Sequence, residues 1–198
     1  MPTIFYVSYV AMWLLLIVLG ILLLLVYRHF GLAALGTTEG VQRDGLQVGE
    51  IAPPITGVNI HGESIELAPQ TGQMYLLAFV SPTCAPCAEV LPSIHQLATT
   101  NSDVQVVLVV DGARERVVQL VENFDLHSSI ICLAEGETGT YHGYIVRVTP
   151  FAFMIGKDGR ILSKGLCNTP IRLRHLLSSA GLDISVELLQ PASVVVPS

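Results

Sequence analysis

No charged side chain occurs between Met1 and Tyr27, and from Trp13 to Val26 the chain is almost continuously apolar. In lipid such a stretch is stable as a helix, because its backbone groups must satisfy one another. Residues 4–26 as helix reach roughly 35 Å at ~1.5 Å per residue, enough to cross the hydrocarbon core with some tilt. Tyr6, Tyr9, Trp13 and Tyr27 are candidates for the membrane interfaces. The competing reading is a cleavable signal peptide, which wants a basic start, a shorter apolar core and a small-residue cleavage site. The basic start is missing and the run is too long, although Ala33-Ala34-Leu35-Gly36 weakly resembles a processing site. The expected organisation is a transmembrane anchor over 1–27, a Gly-rich polar tether over 28–47, one domain over 48–182 and a loosely ordered tail over 183–198. The anchor makes the lipid bilayer a partner. Arg28 and Arg43, just beyond it, would by the positive-inside rule put the domain in the cytoplasm, on the strength of two charges.

The rest of the 198 residues suffices for one ordinary domain, not for two with separate cores. With a formal charge of −6 and ten Lys and Arg, the chain lacks the basic footprint of a nucleic-acid binder, so no nucleic acid is expected among its partners. Apolar patterning then sets the element order. Residues 51–67 alternate around His61-Gly62 as a small hairpin, and Met74–Val80 is a continuous apolar run, a buried strand ending at Ser81-Pro82. An amphipathic helix follows through Leu91, Ile94 and Leu97, then a second buried strand over 104–110. Val117, Val118, Leu120, Val121 and Phe124 fall at helical spacing after Arg114. To this βαβα order are added a short strand over 129–133, a Gly-rich polar segment over 135–143 and a hairpin of 151–155 with 161–165, turned at Asp158-Gly159. A last helix from Pro170 to Ala180 is stopped by Gly181.

Cys84-Ala85-Pro86-Cys87 comes directly after the first buried strand, where a helix starts. Thiol–disulfide exchange needs one accessible thiolate and a second sulfur close enough to resolve the mixed disulfide. The helix N-terminus favours a thiolate at Cys84, the expected attacking sulfur. Cys87, one turn on and on the same face, is the expected resolving sulfur, and Pro86 sets the first turn. Metal sites share this spacing. Zinc would want further ligands, and there is no second C-x-x-C or H-x₃-H, so no metal is assigned to the pair. Cu(I) needs fewer, so a copper chaperone using Cys84, Cys87 and a His or Met stays open as the alternative from another functional class.

The run Leu77-Ala-Phe-Val-Ser-Pro-Thr-Cys-Ala-Pro-Cys87, followed by Val148-Thr-Pro-Phe-Ala-Phe-Met-Ile155, resembles the membrane-anchored TlpA-like branch of the thioredoxin superfamily. The anchor, Gly143-Tyr144 and Gly159-Arg-Ile-Leu-Ser-Lys-Gly-Leu-Cys-Asn-Thr169 make the whole similar to the MauD type. The resemblance implies an α/β thioredoxin-like fold: a central mixed sheet flanked by helices, with an N-terminal β-hairpin, behind one transmembrane helix. It implies a cis Pro150 beside the redox pair and Thr149 before it, pairing its backbone with the client. Pro82, Thr83, Ala85 and Pro86 form the active-site loop. No cofactor is implied beyond a redox-active Cys84–Cys87 disulfide. The implied role is a thiol–disulfide oxidoreductase or isomerase in the inner membrane of a bacterium, its domain facing the periplasm and recharged by a membrane redox partner. Its client would be a disulfide-containing protein, the small subunit of methylamine dehydrogenase; reduction for cytochrome c maturation is the alternative.

Several residues depart from the superfamily pattern. Ala78 stands where thioredoxin-like reductases usually bury an acid, which favours oxidation or isomerisation over fast reduction. Thr83 replaces a common aromatic. Cys84 fills the slot of the peroxiredoxin threonine, which weakens a peroxidase reading. Cys132 and Cys167 are read as buried small hydrophobes on opposite edge strands, too far apart to bridge. His95 and His142 receive no catalytic role.

Overall fold

The computed structural model describes residues 2–34, 44–70, 72–126, 129–135 and 139–182. The chain divides into two compact units, Met1–Val41 and Gln42–Ser198. The first is the helix α1 (Pro2–Ala34), in which Phe5–Leu25, with a mean hydropathy of 2.7, is long and apolar enough to cross a membrane. Tyr9 and Trp13, one turn apart, meet edge to face at 6.3 Å. The helix runs on past Tyr27 into the stretch expected as tether. No proline interrupts residues 28–34, and the run of Gly, Thr and Glu begins only at Gly36. The tail expected over 183–198 and residues 35–43 of the tether lie outside the described residues.

The second unit holds one seven-stranded mixed sheet in the order β2-β1-β5-β4-β3-β6-β7. Its strands are β1 (Ile55–Asn59), β2 (Ser64–Leu67), β3 (Met74–Val80), β4 (Val104–Val110), β5 (Ile130–Ala134), β6 (Phe151–Ile155) and β7 (Ile161–Leu166). The helices are α2 (Ala85–Thr100), α3 (Arg114–Asn123), the one-turn α4 (Thr140–Gly143) and α5 (Pro170–Ser179). The core strands β3, β4 and β5 are parallel, β6 and β7 antiparallel, and the hairpin β1–β2 adds at the far side. That hairpin corrects one expectation. Cys132, expected on an edge, sits in β5, whose outer side is taken by β1 with Val58 opposite Ala134. Cys167 does follow an edge strand, and β4, β3 and β6 stand between the two cysteines.

Strand alternation sends Leu76, Ala78 and Val80 to one face with Val106, Leu108 and Val110. There Val90, Leu91 and Ile94 of α2, Val117 of α3 and Leu173 of α5 cover them. The opposite face carries Leu77, Phe79, Val107, Val109, Phe151 and Phe153, all without exposure. The chain before β1, α4 and Tyr144 pack there. Gly45 N–H donates to Ile145 O (3.0 Å), and Lys164 Nζ donates to the carbonyls of Asp44 (2.9 Å) and Gly45 (3.0 Å). Gly45 has φ +73°, and a Cβ there would lie 2.6 Å from the Phe153 ring, so only glycine fits. Asp44 and Gly45, placed in the tether by their polar surroundings in sequence, are thus packed against this sheet.

Candidate active site around Cys84 and Cys87

The apolar run of β3 stops at Val80, Ser81-Pro82-Thr83 turns the chain, and α2 begins with Cys84 as its N-cap (φ −93°, ψ 109°). Cys84 N–H donates to Ser81 O (3.1 Å), while Cys87 N–H and Ala88 N–H donate to Cys84 O (3.0 and 3.4 Å). The Cys84 side chain makes no cap bond; its Sγ turns to the carbonyl oxygen of Thr149, 3.5 Å away. The Thr149–Pro150 peptide is cis, as expected. Cys84 is half-buried and Cys87 is 1% exposed. Burial first, and then a hydrogen bond with Cys84, push the Cys87 thiol up to about 12, which keeps it protonated at neutral pH.

The expected site residues therefore come together. Cys84, Cys87, Thr149 and Pro150 meet at the head of α2, and Pro82, Thr83, Ala85 and Pro86 form an exposed rim around Cys84. One sulfur within reach and a second sheltered behind it is the arrangement that disulfide exchange requires. Ala78 is fully buried beside Ala152, so no acid lies beneath the pair at that position.

Tyr141 and Glu135 are additions that sequence reasoning did not single out. Tyr141 Oη donates to Val80 O (2.9 Å), the last carbonyl before the redox loop, and its ring meets Phe79 edge-on at 4.7 Å. Its backbone N–H donates to the Glu135 carboxylate. Burial first, then the charges of Glu135, Asp111, Cys87 and Cys84, push the Tyr141 hydroxyl upward, so it stays a donor. Burial raises the Glu135 carboxyl to about 7, against the lowering effect of the Tyr141 N–H and with the help of Asp111. The only signal in the sequence was a polar Gly-rich segment holding two acids, Glu135 and Glu137, and one tyrosine.

Glu135 makes stability depend on pH. Its ordinary value of 4.5 is raised in the folded chain, so the native state binds the proton more tightly than the unfolded state. The favourable contribution is complete below about 4.5 and is lost as pH rises through about 7. Glu135→Gln is expected to remove that part of the decline in melting temperature between those limits. An unchanged slope in the variant would contradict the assignment.

The methylamine utilization protein MauD of Methylobacillus flagellatus is 31% identical over 179 residues, covering 87% of this chain and 84% of that protein. The thiol-disulfide oxidoreductase ResA of Bacillus cereus is 27% identical over 62% of this chain and 71% of its own. Among solved structures, the thioredoxin domain of a thiol-disulfide oxidoreductase from Bacteroides vulgatus superposes with a TM-score of 0.54 at 20% identity. It covers 61% of this chain and 89% of that domain, and shows the thioredoxin-like fold. No family model matches the chain.

Proposed function

The chain belongs to the MauD family and is a thiol–disulfide oxidoreductase, and from that premise we propose that Cys84 and Cys87 are its redox-active pair, acting on a disulfide-bearing protein. The Cys84 thiolate attacks one sulfur of the client disulfide and the other client sulfur leaves as a thiolate. The mixed disulfide then has two exits. If Cys87 attacks Cys84, the client leaves reduced and the chain leaves as the Cys84–Cys87 disulfide. If a client thiol attacks instead, the client disulfide is rearranged and the chain is unchanged.

The observation that carries the reading is the pairing of a half-buried Cys84 with a buried, protonated Cys87. A resolving thiol pushed up to about 12, with Ala78 in place of an acid, closes slowly on Cys84. That favours oxidation or isomerisation of clients over general reduction. The Thr149 backbone pairs with the client chain, and no cofactor is needed beyond the disulfide. The relatives are named for methylamine utilization, and with them in view the small subunit of methylamine dehydrogenase is the client we propose, with a membrane redox partner resetting the pair.

A redox titration tests the preference. The potential is expected nearer the about −180 mV of protein disulfide isomerase than the about −270 mV of thioredoxin. A thioredoxin-like value would favour the reductase role, as in cytochrome c maturation. We place the domain in the periplasm, held to the inner membrane by α1, although Arg28 and Arg43 point the other way. A membrane-impermeant maleimide added to intact cells is expected to label Cys84; protection of Cys84 until the cells are broken would reverse the orientation.

A further inference from the structure

A third cysteine shares the surroundings of the redox pair. Cys167 follows β7, which lies beside β6, which lies beside β3. Its N–H donates to the carbonyl of Pro150 (3.1 Å), and the neighbouring carbonyl of Thr149 receives Cys84 Sγ at 3.5 Å. Cys87 reaches the side chain of the same Thr149. All three cysteines therefore bear on one dipeptide, Cys167 through its backbone N–H. Cys87 and Cys167, 1% and 0% exposed, belong to one buried cluster on the α2 face of the sheet, with Ala78, Ala152 and Val90. Ala78, Ala152 and Gly165 stand side by side across β3, β6 and β7, a row of small residues, two of which, Ala78 and Ala152, share the buried cluster of Cys87 and Cys167. Burial, and next the nearby Cys87, push the Cys167 thiol up, so it rests protonated.

We infer that Cys167 is a third redox thiol, which exchanges with Cys84 for the disulfide to Cys87 and so leaves Cys84 free to isomerise clients. The inference rests on the redox pair proposed above. Cys167 Sγ gives up its proton and attacks Cys87 Sγ. The Cys84–Cys87 bond breaks as the Cys87–Cys167 bond forms, and the electron pair leaves on Cys84 Sγ, which takes up a proton. Nothing is oxidised or reduced overall. With Cys87 bonded to Cys167, a mixed disulfide on Cys84 can be resolved only by a client thiol. The client is then shuffled and not reduced.

The test uses the full chain in detergent, oxidised to one disulfide per molecule, freed of oxidant, acid-quenched, alkylated with iodoacetamide and mapped by peptide mass. The expected result is a fraction of chains that keep one disulfide, as Cys87–Cys167, with Cys84 alkylated. Cys167→Ala is expected to lose that fraction and Cys132→Ala to retain it. Cys84→Ser treated with diamide gives a second route that leaves Cys167 intact, and is expected to yield Cys87–Cys167. Cys84–Cys87 as the sole linkage in the parent, with Cys87 and Cys167 both free in Cys84→Ser, overturns the inference and leaves the redox pair standing. No disulfide at Cys84 or Cys87 in any form overturns both.

Discussion

Cys84→Ser abolishes disulfide exchange: the expected loss is on the order of 10³-fold or more, the scale seen when a catalytic nucleophile is removed. A serine hydroxyl at this N-cap keeps the size and the local backbone bonds to Ser81, Cys87 and Ala88, so the fold is expected to survive. The loss then reports chemistry and not unfolding. Cys87→Ser has a different signature. It leaves the attacking sulfur, half-buried and facing Thr149, and removes the buried thiol that would release the client. Activity in an insulin-reduction assay, with circular dichroism as the fold control, separates the two variants; substantial turnover by Cys84→Ser would mean that another group attacks.

Phe153→Ala is expected to cost about 3–5 kcal/mol, a large share of the roughly 5–15 kcal/mol that holds a domain together. Phe153 has no exposed surface and lies among Phe151 (5.2 Å between ring centres), Tyr144 (5.3 Å) and Phe79 (6.0 Å). Its ring also closes over Gly45. Truncation leaves a cavity on the face that, among the described residues, no long helix covers, and it loosens the seam by which Asp44 and Gly45 join the sheet. Phe153→Leu, which keeps most of the volume, should cost less, under about 1.5 kcal/mol if the neighbours repack. Urea unfolding measures both. A loss below about 1 kcal/mol for the alanine variant would show that the aromatic cluster contributes less than its burial implies.

What was legible in the sequence was local. Continuous apolar runs and their punctuation marked β3, β4, β6 and β7, and the position of Cys84-Ala-Pro-Cys87 between a strand and a helix placed the redox pair. Thr149-Pro150 was assigned to the same site through the resemblance, and the fold brings it there. The parts that escaped depend on distant partners. Tyr141 meets Val80 across 61 positions of sequence, and nothing in a Gly-rich segment announces that contact. The hairpin β1–β2 was visible as a hairpin, but its pairing with β5 was not, and so Cys132 was assigned to an edge. Cys167 was read as a buried small residue, and it is buried. Its place beside the redox pair arises only when β7, β6 and β3 line up.

In the chemistry proposed for this chain, Cys84 forms the mixed disulfide with a protein client and Cys87 is its partner in the redox pair. Trapping measures this most directly: Cys87→Ser is expressed in cells that contain the client, the cells are quenched in acid, and disulfide-linked adducts are mapped by peptide mass. The expected product is a mixed disulfide joining Cys84 to a cysteine of an exported protein, absent when Cys84→Ser is added. Adducts through Cys132 or Cys167 with Cys84 free, or no adduct alongside a pair of thiols occupied by copper in the parent chain, would contradict it.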